Sequence, residues 1–180
     1  VDPVARRAAE QRFRALVAEV TDPVRRYLWR RTDSTTAEEV LAETLVVLWR
    51  RLDEPPHEAV PWAIGIARNV LANAQRSAAR RDRLVARIAA LDPPPIVVEE
   101  VDDDDDREVR RVLALLKPAD AEVLRLWAWE HLEPRGIGEV LGISANAAAV
   151  RMHRARRRFE EAFGKNRRDA EQVEVKGESR

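Results

Sequence analysis

Apolar residues recur along this chain at three- and four-residue intervals, the period of a helix with one face turned inward. Phe13, Leu16, Val17 and Val20 predict a first helix over roughly Val4 to Val20. Asp22-Pro23 reads as an N-cap followed by proline at the first helical position, so a second helix is predicted from there to about Arg31. A third is predicted to begin after Thr35 or Thr36. Its Leu41, Leu45, Leu48 and Leu52 form one stripe, and it stops before Pro55-Pro56. The fourth starts near Pro61 with Trp62, Ala63, Ile66, Ala67 and Val70 on its apolar side, and becomes arginine-rich from Arg76 onward.

A different pattern interrupts this periodicity between Asp92 and Asp106. Asp92 is followed by three prolines, and the strip closes on five consecutive aspartates, Asp102, Asp103, Asp104, Asp105 and Asp106. Proline removes backbone donors and adjacent carboxylates repel, so the strip is expected to be an extended linker between two helical domains. Helical patterns resume at Val109–Leu116, Ala119–Trp129 after Lys117-Pro118, Arg135–Leu141 and Ala145–Phe163. The expected organisation is a domain over 1–91, a linker over 92–106, a domain over 107–163 and a mobile polar tail over 164–180.

Composition fits an all-α protein: 36% of the residues are charged, and only 6 of 180 are glycine. The net charge of zero conceals segregation. Residues 1–91 hold 16 Lys/Arg against 12 Asp/Glu, residues 92–106 hold none against 8, and residues 107–180 hold 16 against 12. Two basic blocks around an acidic strip suggest faces that meet phosphate and a segment with another partner. The absence of cysteine excludes disulfides and Cys-ligated zinc. No apolar run approaches membrane-spanning length and no signal-peptide core is evident, so a cytoplasmic protein without membrane insertion is expected.

The most informative local chemistry surrounds Gly142. Ile137, Val140 and Leu141 mark a short helix, then come Gly142, Ile143 and Ser144, and then a long basic helix. Glycine can take the left-handed conformation that ends a helix, Ile143 can fill the space between two helices, and the Ser144 hydroxyl can cap the next. That is the layout of a helix-turn-helix, whose second helix enters the DNA major groove. On this second helix Ala148, Met152, Ala155 and Phe159 form the inward stripe. Asn146, Ala147, Ala149, Val150, Arg151, His153 and Arg154 fall on or near the outward side, and Arg156, Arg157 and Arg158 extend the charge. An amphipathic surface helix with solvated arginines is the plainer alternative, and the turn chemistry argues against it.

Leu115-Leu116-Lys117-Pro118, Glu122-Val123-Leu124, Glu139 to Ser144 and Arg151 to Arg156 together resemble the promoter-recognition domain of extracytoplasmic-function sigma factors of the sigma-70 family. Ala37-Glu38-Glu39, Glu43-Thr44, Leu48-Trp49 and Trp62 with Ile66 to Asn69 resemble the other domain of the same family, in the same order. The resemblance implies a factor that directs core RNA polymerase to a subset of promoters and assists their opening. Its implied partners are the β and β′ subunits, promoter DNA and, in some members, an anti-sigma factor.

It also implies roles for individual residues. Glu39 and Glu43 would dock on the polymerase, although a solvated helix face explains them nearly as well; the family often has glutamine where Ala42 stands. Arg68, Asn69, Asn73, Arg76, Arg80 and Arg81 would hold the minus-ten element as separated strand, the amide reading a base edge and the cations meeting phosphate. Trp62 offers a stacking platform, but its spacing with Ile66 favours a core position. Asn146, Ala147, Val150, Arg151, His153, Arg154 and Arg157 would meet the minus-thirty-five element. Ala147, Ala149 and Val150 stand where the family often has hydrogen-bonding side chains, so thymine methyl contacts, DNA shape and phosphate are expected to carry more weight here. The linker would thread the RNA exit path with Asp102 to Asp106 standing in for RNA phosphate; a solubilising spacer is the alternative.

No cofactor or metal is expected. His57, His131 and His153 lack a metal-ligand spacing, Glu130, His131 and Glu133 point in different helical directions, and no phosphate loop or nucleophile motif is present. Two other non-catalytic readings compete: a polymerase-independent regulator, against which no dimer seam or sensor domain is evident, and a sequestered interaction protein without promoter activity.

Overall fold

The computed structural model describes residues 3–54, 58–88 and 104–177. Among them are seven helices and no strand: α1 (Pro3–Trp29), α2 (Ser34–Arg50), α3 (Ala59–Ile88), α4 (Asp104–Leu115), α5 (Pro118–Ala128), α6 (Pro134–Leu141) and α7 (Ala145–Gly177). They make two compact units. The first is built by α1, α2 and α3, each packed on the other two. In the second, α4, α5 and α7 pack together. α6 leads through a short turn into α7.

The two helices expected before residue 31 are one. Pro23 lies inside α1, where it removes a backbone donor. Glu19, whose carbonyl would have received that bond, is on the exposed side where water can take its place. One turn earlier the Thr21 hydroxyl donates to the Val17 carbonyl at 2.6 Å. Val20, Val24, Tyr27 and Leu28, all buried, continue a single stripe across the proline, so one packed face holds both halves in the same helix.

α2 begins two or three residues earlier than its threonines suggest, at Ser34, because Asp33 is the cap. Its Oδ1 accepts the Thr36 N–H at 2.9 Å, and this bond, with the Thr36 and Thr32 hydroxyls, holds the Asp33 carboxyl below the usual aspartate range. Asp33→Ala is expected to cost about 1 kcal/mol and Asp33→Asn much less, measured by denaturant unfolding. A folded-state pKa that is lowered means stabilisation fully present above the unfolded value of about 3.9 and lost as pH falls through the folded value. The difference between wild type and Asp33→Ala should therefore narrow only under acid.

Inside the first unit Ala37, Val40, Leu41 and Leu48 of α2 meet the α1 stripe and Ala63, Ala67, Val70 and Leu71 of α3, all buried. Thr44 is buried too, and its hydroxyl is satisfied by donating to the Val40 carbonyl at 2.7 Å. Arg25 reaches Glu38 at 3.0 Å and Arg12 reaches Asp53 at 3.0 Å, which sets α1 antiparallel to α2. These exposed pairs fix register more than they stabilise.

The second unit centres on Leu113, Ala121, Leu124 and Ala155, with Val109, Leu116, Trp129 and Phe159 packed around them. Its first helix starts at Asp104, so Asp104, Asp105 and Asp106 belong to α4 and not to an extended linker. The first turn of a helix exposes unpaired N–H groups and a positive dipole end, which makes it a favourable place for carboxylates. Asp102 and Asp103, with the rest of the 92–103 strip, lie outside the described residues. α7 does not stop at Gly164 either, and its backbone is helical to Gly177. The residues after Gly164 are mostly good helix formers, and one interior glycine costs only about 1 kcal/mol.

No helix among the described residues is long and apolar enough to cross a membrane.

Candidate nucleic-acid interface

The turn between α6 and α7 has the expected chemistry. Gly142 has a φ of 67°, the left-handed region, and no atom lies within 4 Å of where its Cβ would be. The Ile143 N–H donates to the Gly138 carbonyl at 2.9 Å, closing the end of α6, and Ile143 is half-buried. The Ser144 hydroxyl accepts the Ala147 N–H at 3.1 Å and caps α7. One requirement was not visible in the sequence: a Cβ at Gly138 would stand 2.7 Å from the Ile143 carbonyl oxygen, so the turn lies directly on α6.

α7 buries Ala148 and Ala155 completely and half-buries Met152 and Phe159, as its stripe predicts. Asn146, Ala147, Val150, His153 and Arg154 are exposed, and Arg151 is half-buried. The arginine run, in contrast, separates into different roles. Arg157 pairs with Glu161 at 3.3 Å along the helix. The Arg156 guanidinium lies 4.8 Å from the centre of the Trp127 ring on α5. Arg158 donates to Asp120, a buried carboxylate on α5, and so joins two helices of the unit. A hint existed in the sequence: Asp120 falls on the stripe of Leu116 and Leu124, where an acid needs a cation.

On α3 the structure sorts the six candidate residues by face. Asn69, Asn73, Arg76 and Arg80 are all exposed and recur at intervals of four, three and four, which puts them on one stripe about 16 Å long. Arg76 donates to Asn73 Oδ1 at 2.5 Å, within the stripe, and Arg80 to Ser77 Oγ at 2.8 Å, beside it. Arg68, which is half-buried, and Arg81 lie about 100° to either side of it and do not join the face.

The segment leading into α3 is also organised. Arg51 makes bonds of 2.9 and 2.5 Å to Glu54 Oε2, which hold the Glu54 carboxyl below its ordinary range, and its guanidinium lies 5.6 Å from the centre of the Trp62 ring. Trp62 is half-buried beneath that cation, intermediate between a core residue and an open platform. His57, with Pro55 and Pro56, lies outside the described residues.

Glu39 and Glu43 are exposed on α2, sharing a face with Val46 and Arg50. Val46 is 47% exposed and neighbouring Trp49 43% exposed, with the Trp49 ring set against Phe13 at 5.1 Å. Counting the leucine stripe did not reveal this apolar patch on the outer side. No group of three or more acidic, His or Cys side chains among the described residues could hold a metal ion.

A helix-turn-helix over α6 and α7, with a polar and cationic stripe on α3, fits a helical DNA-binding factor. The family model described as Sigma-70 region 2 matches residues 16–81, and the one described as Sigma-70, region 4 matches residues 106–159. The chain belongs to the sigma-70 family, as an RNA polymerase sigma factor of the extracytoplasmic-function type.

Among solved structures it is similar to CnrH, in complex with the cytosolic domain of CnrY, at 25% identity over 89% of this chain and 95% of that one, with a TM-score of 0.53. It also shares the fold of the sigma factor RpoE, in complex with the anti-sigma factor NepR from Bartonella quintana, at 17% identity over 91% and 98% of the two chains and a TM-score of 0.51. No curated protein matches the chain.

Proposed function

We propose that the first unit docks on core polymerase through the exposed face of α2 and holds the opened minus-ten strand along α3, while α7 reads the minus-thirty-five element. The observation that carries this reading is the α3 stripe. Asn69 and Asn73 each present an amide donor and acceptor that can meet a base edge, and Arg76 and Arg80 continue the same face with phosphate-binding charge. Glu39 and Glu43 supply the polar part of the docking face on β′, and Val46 and Trp49 supply apolar area that a partner would cover.

On α7, Asn146, Arg151, His153 and Arg154 are the hydrogen-bonding readers, and Ala147 and Val150 meet thymine methyls. Arg157 contributes phosphate contact after exchanging Glu161 for DNA. The aspartates Asp102 to Asp106 meet cationic polymerase surface along the RNA path, the last three of them carried on the start of α4.

The factor acts by positioning polymerase, without catalysing a reaction itself, and it works in the cytoplasm. The open depression in the second unit beside Trp127, His131, Glu133 and Met152 brings together no nucleophile with a base. An anti-sigma partner belongs to the proposal by analogy with the related complexes, and the exposed Val46 and Trp49 offer it a surface.

Run-off transcription with core polymerase over a genomic promoter library tests the whole reading, and Asn69→Ala tests its central element. If Asn69 meets a base exposed only after strand separation, the substitution should lower open-complex occupancy about tenfold, equivalent to about 1.4 kcal/mol, with core affinity unchanged. Permanganate reactivity of unpaired thymines and a core-binding titration measure the two quantities. An equal loss of core affinity would move Asn69 to the docking surface.

A further inference from the structure

Trp49 shares the outward side of α2 with Ala42 and Val46, at spacings of four and three, so the exposed face of this helix carries an apolar stripe of its own. Glu39, Glu43 and Arg50, all exposed, border that stripe. An apolar strip with a charged border is the layout of a protein-binding surface. Ala42 brings no hydrogen-bonding group to it and Val46 is small, which leaves Trp49, 43% exposed, as the largest side chain there.

Phe13 of α1 meets the stripe at Trp49. The two ring centres lie 5.1 Å apart with their planes at 75°, an edge-to-face pair. Phe13 is half-buried and is not part of the core, which α1 builds from Val20, Val24, Tyr27 and Leu28 about two turns further on. Beside it Arg12 pairs with Asp53 at 3.0 Å, just beyond α2, and ties α1 alongside α2 where the rings meet. An indole open to water on one side can turn about its side-chain bonds, and a partner that binds it must fix it in one orientation at a cost in affinity. A second ring already set against the indole removes part of that cost before the partner arrives.

We infer that Phe13 is a positioning residue for polymerase docking, holding the Trp49 indole in the orientation that core polymerase receives. The inference rests on the reading of the exposed α2 face as the docking surface and deepens it: two helices make the surface, and α1 sets the geometry of a side chain on α2. Packing alone would need only apolar bulk beside Trp49. Positioning needs a flat ring at a fixed angle, and that difference separates the two roles by experiment.

The test titrates core polymerase with the chain and its variants at a temperature below every unfolding midpoint. Trp49→Ala is expected to weaken core binding about tenfold or more, and Phe13→Ala about three- to tenfold, with Phe13→Tyr within about twofold of wild type. Phe13→Leu keeps most of the apolar bulk, so it should unfold close to wild type and still bind core as weakly as Phe13→Ala. In the Trp49→Ala background, Phe13→Ala should add less than about twofold, because the side chain it acts through is gone. Normal core affinity in Phe13→Ala or in Phe13→Leu would overturn the inference, as would full multiplication of the two effects in the double variant. Trp49→Ala with unchanged core affinity would overturn the docking reading along with it. A weakened Trp49→Ala beside a normal Phe13→Ala leaves docking on α2 standing and removes only the role of Phe13.

Discussion

Gly138→Ala is expected to reduce transcription from minus-thirty-five-dependent promoters at least tenfold while leaving binding to core polymerase intact. Glycine inside a helix ordinarily costs up to about 1 kcal/mol relative to alanine, so the same change elsewhere would stabilise. At Gly138 the new methyl would meet the Ile143 carbonyl oxygen at 2.7 Å and the Ala145 nitrogen at 3.3 Å, both backbone atoms that cannot swing aside. The turn must move, at a cost of about 1–3 kcal/mol for overpacking. α7 begins at Ala145 and would move with it, which disturbs base contacts that tolerate displacements of only about 0.5 Å.

Gly164→Ala provides the control within one protein. A Cβ there meets nothing within 4 Å, and the backbone is helical on both sides, so stability should rise by about 0.5–1 kcal/mol with transcription unchanged. Thermal unfolding and run-off transcription on both variants separate the cases. A gain in stability for Gly138→Ala with normal promoter use would show that the turn has room the structure does not provide.

Arg158→Ala should act through stability, in contrast to its neighbours in the arginine run. Removing the guanidinium leaves Asp120, 9% exposed at its side chain, without the cation that joins it to α7. Arg158 is itself 47% exposed, so water screens part of the interaction, and the expected loss is about 1–3 kcal/mol, less than for a fully buried pair. Replacing both residues, Asp120→Ala with Arg158→Met, should recover much of that loss, because no carboxylate is then stranded.

Arg154→Ala, by contrast, should leave unfolding unchanged and weaken promoter complexes by about 1–3 kcal/mol if the side chain reads a base edge. Denaturant unfolding of the four chains, with promoter titrations of their holoenzymes, measures both effects. Equal stability for Arg158→Ala and wild type would return Arg158 to the DNA-facing group.

The sequence by itself determined the helices, the two-unit organisation and the helix-turn-helix, because these are written in local signals: the three-and-four spacing of apolar residues, the left-handed glycine at Gly142, and the Ser144 cap. It also supplied the residues of the α3 stripe. The same local rules misplaced boundaries wherever a weak breaker met a strong context. Pro23 sits within a stripe that continues from Val20 to Leu28 and buries on both sides of it, and Gly164 within a run of helix formers, so neither ended its helix.

Other features required the third dimension. Whether the cations of Arg156 and Arg158 face DNA, an indole or a carboxylate depends on what α5 brings opposite them, and Trp127 and Asp120 are about 30 to 40 residues away along the chain. Why Gly138 has no side chain depends on a backbone carbonyl that arrives only when the turn closes. The exposed sides of Trp29, Val46 and Trp49 became visible once the packed faces were known, since helical period tells which residues share a face but tertiary packing decides which face is covered.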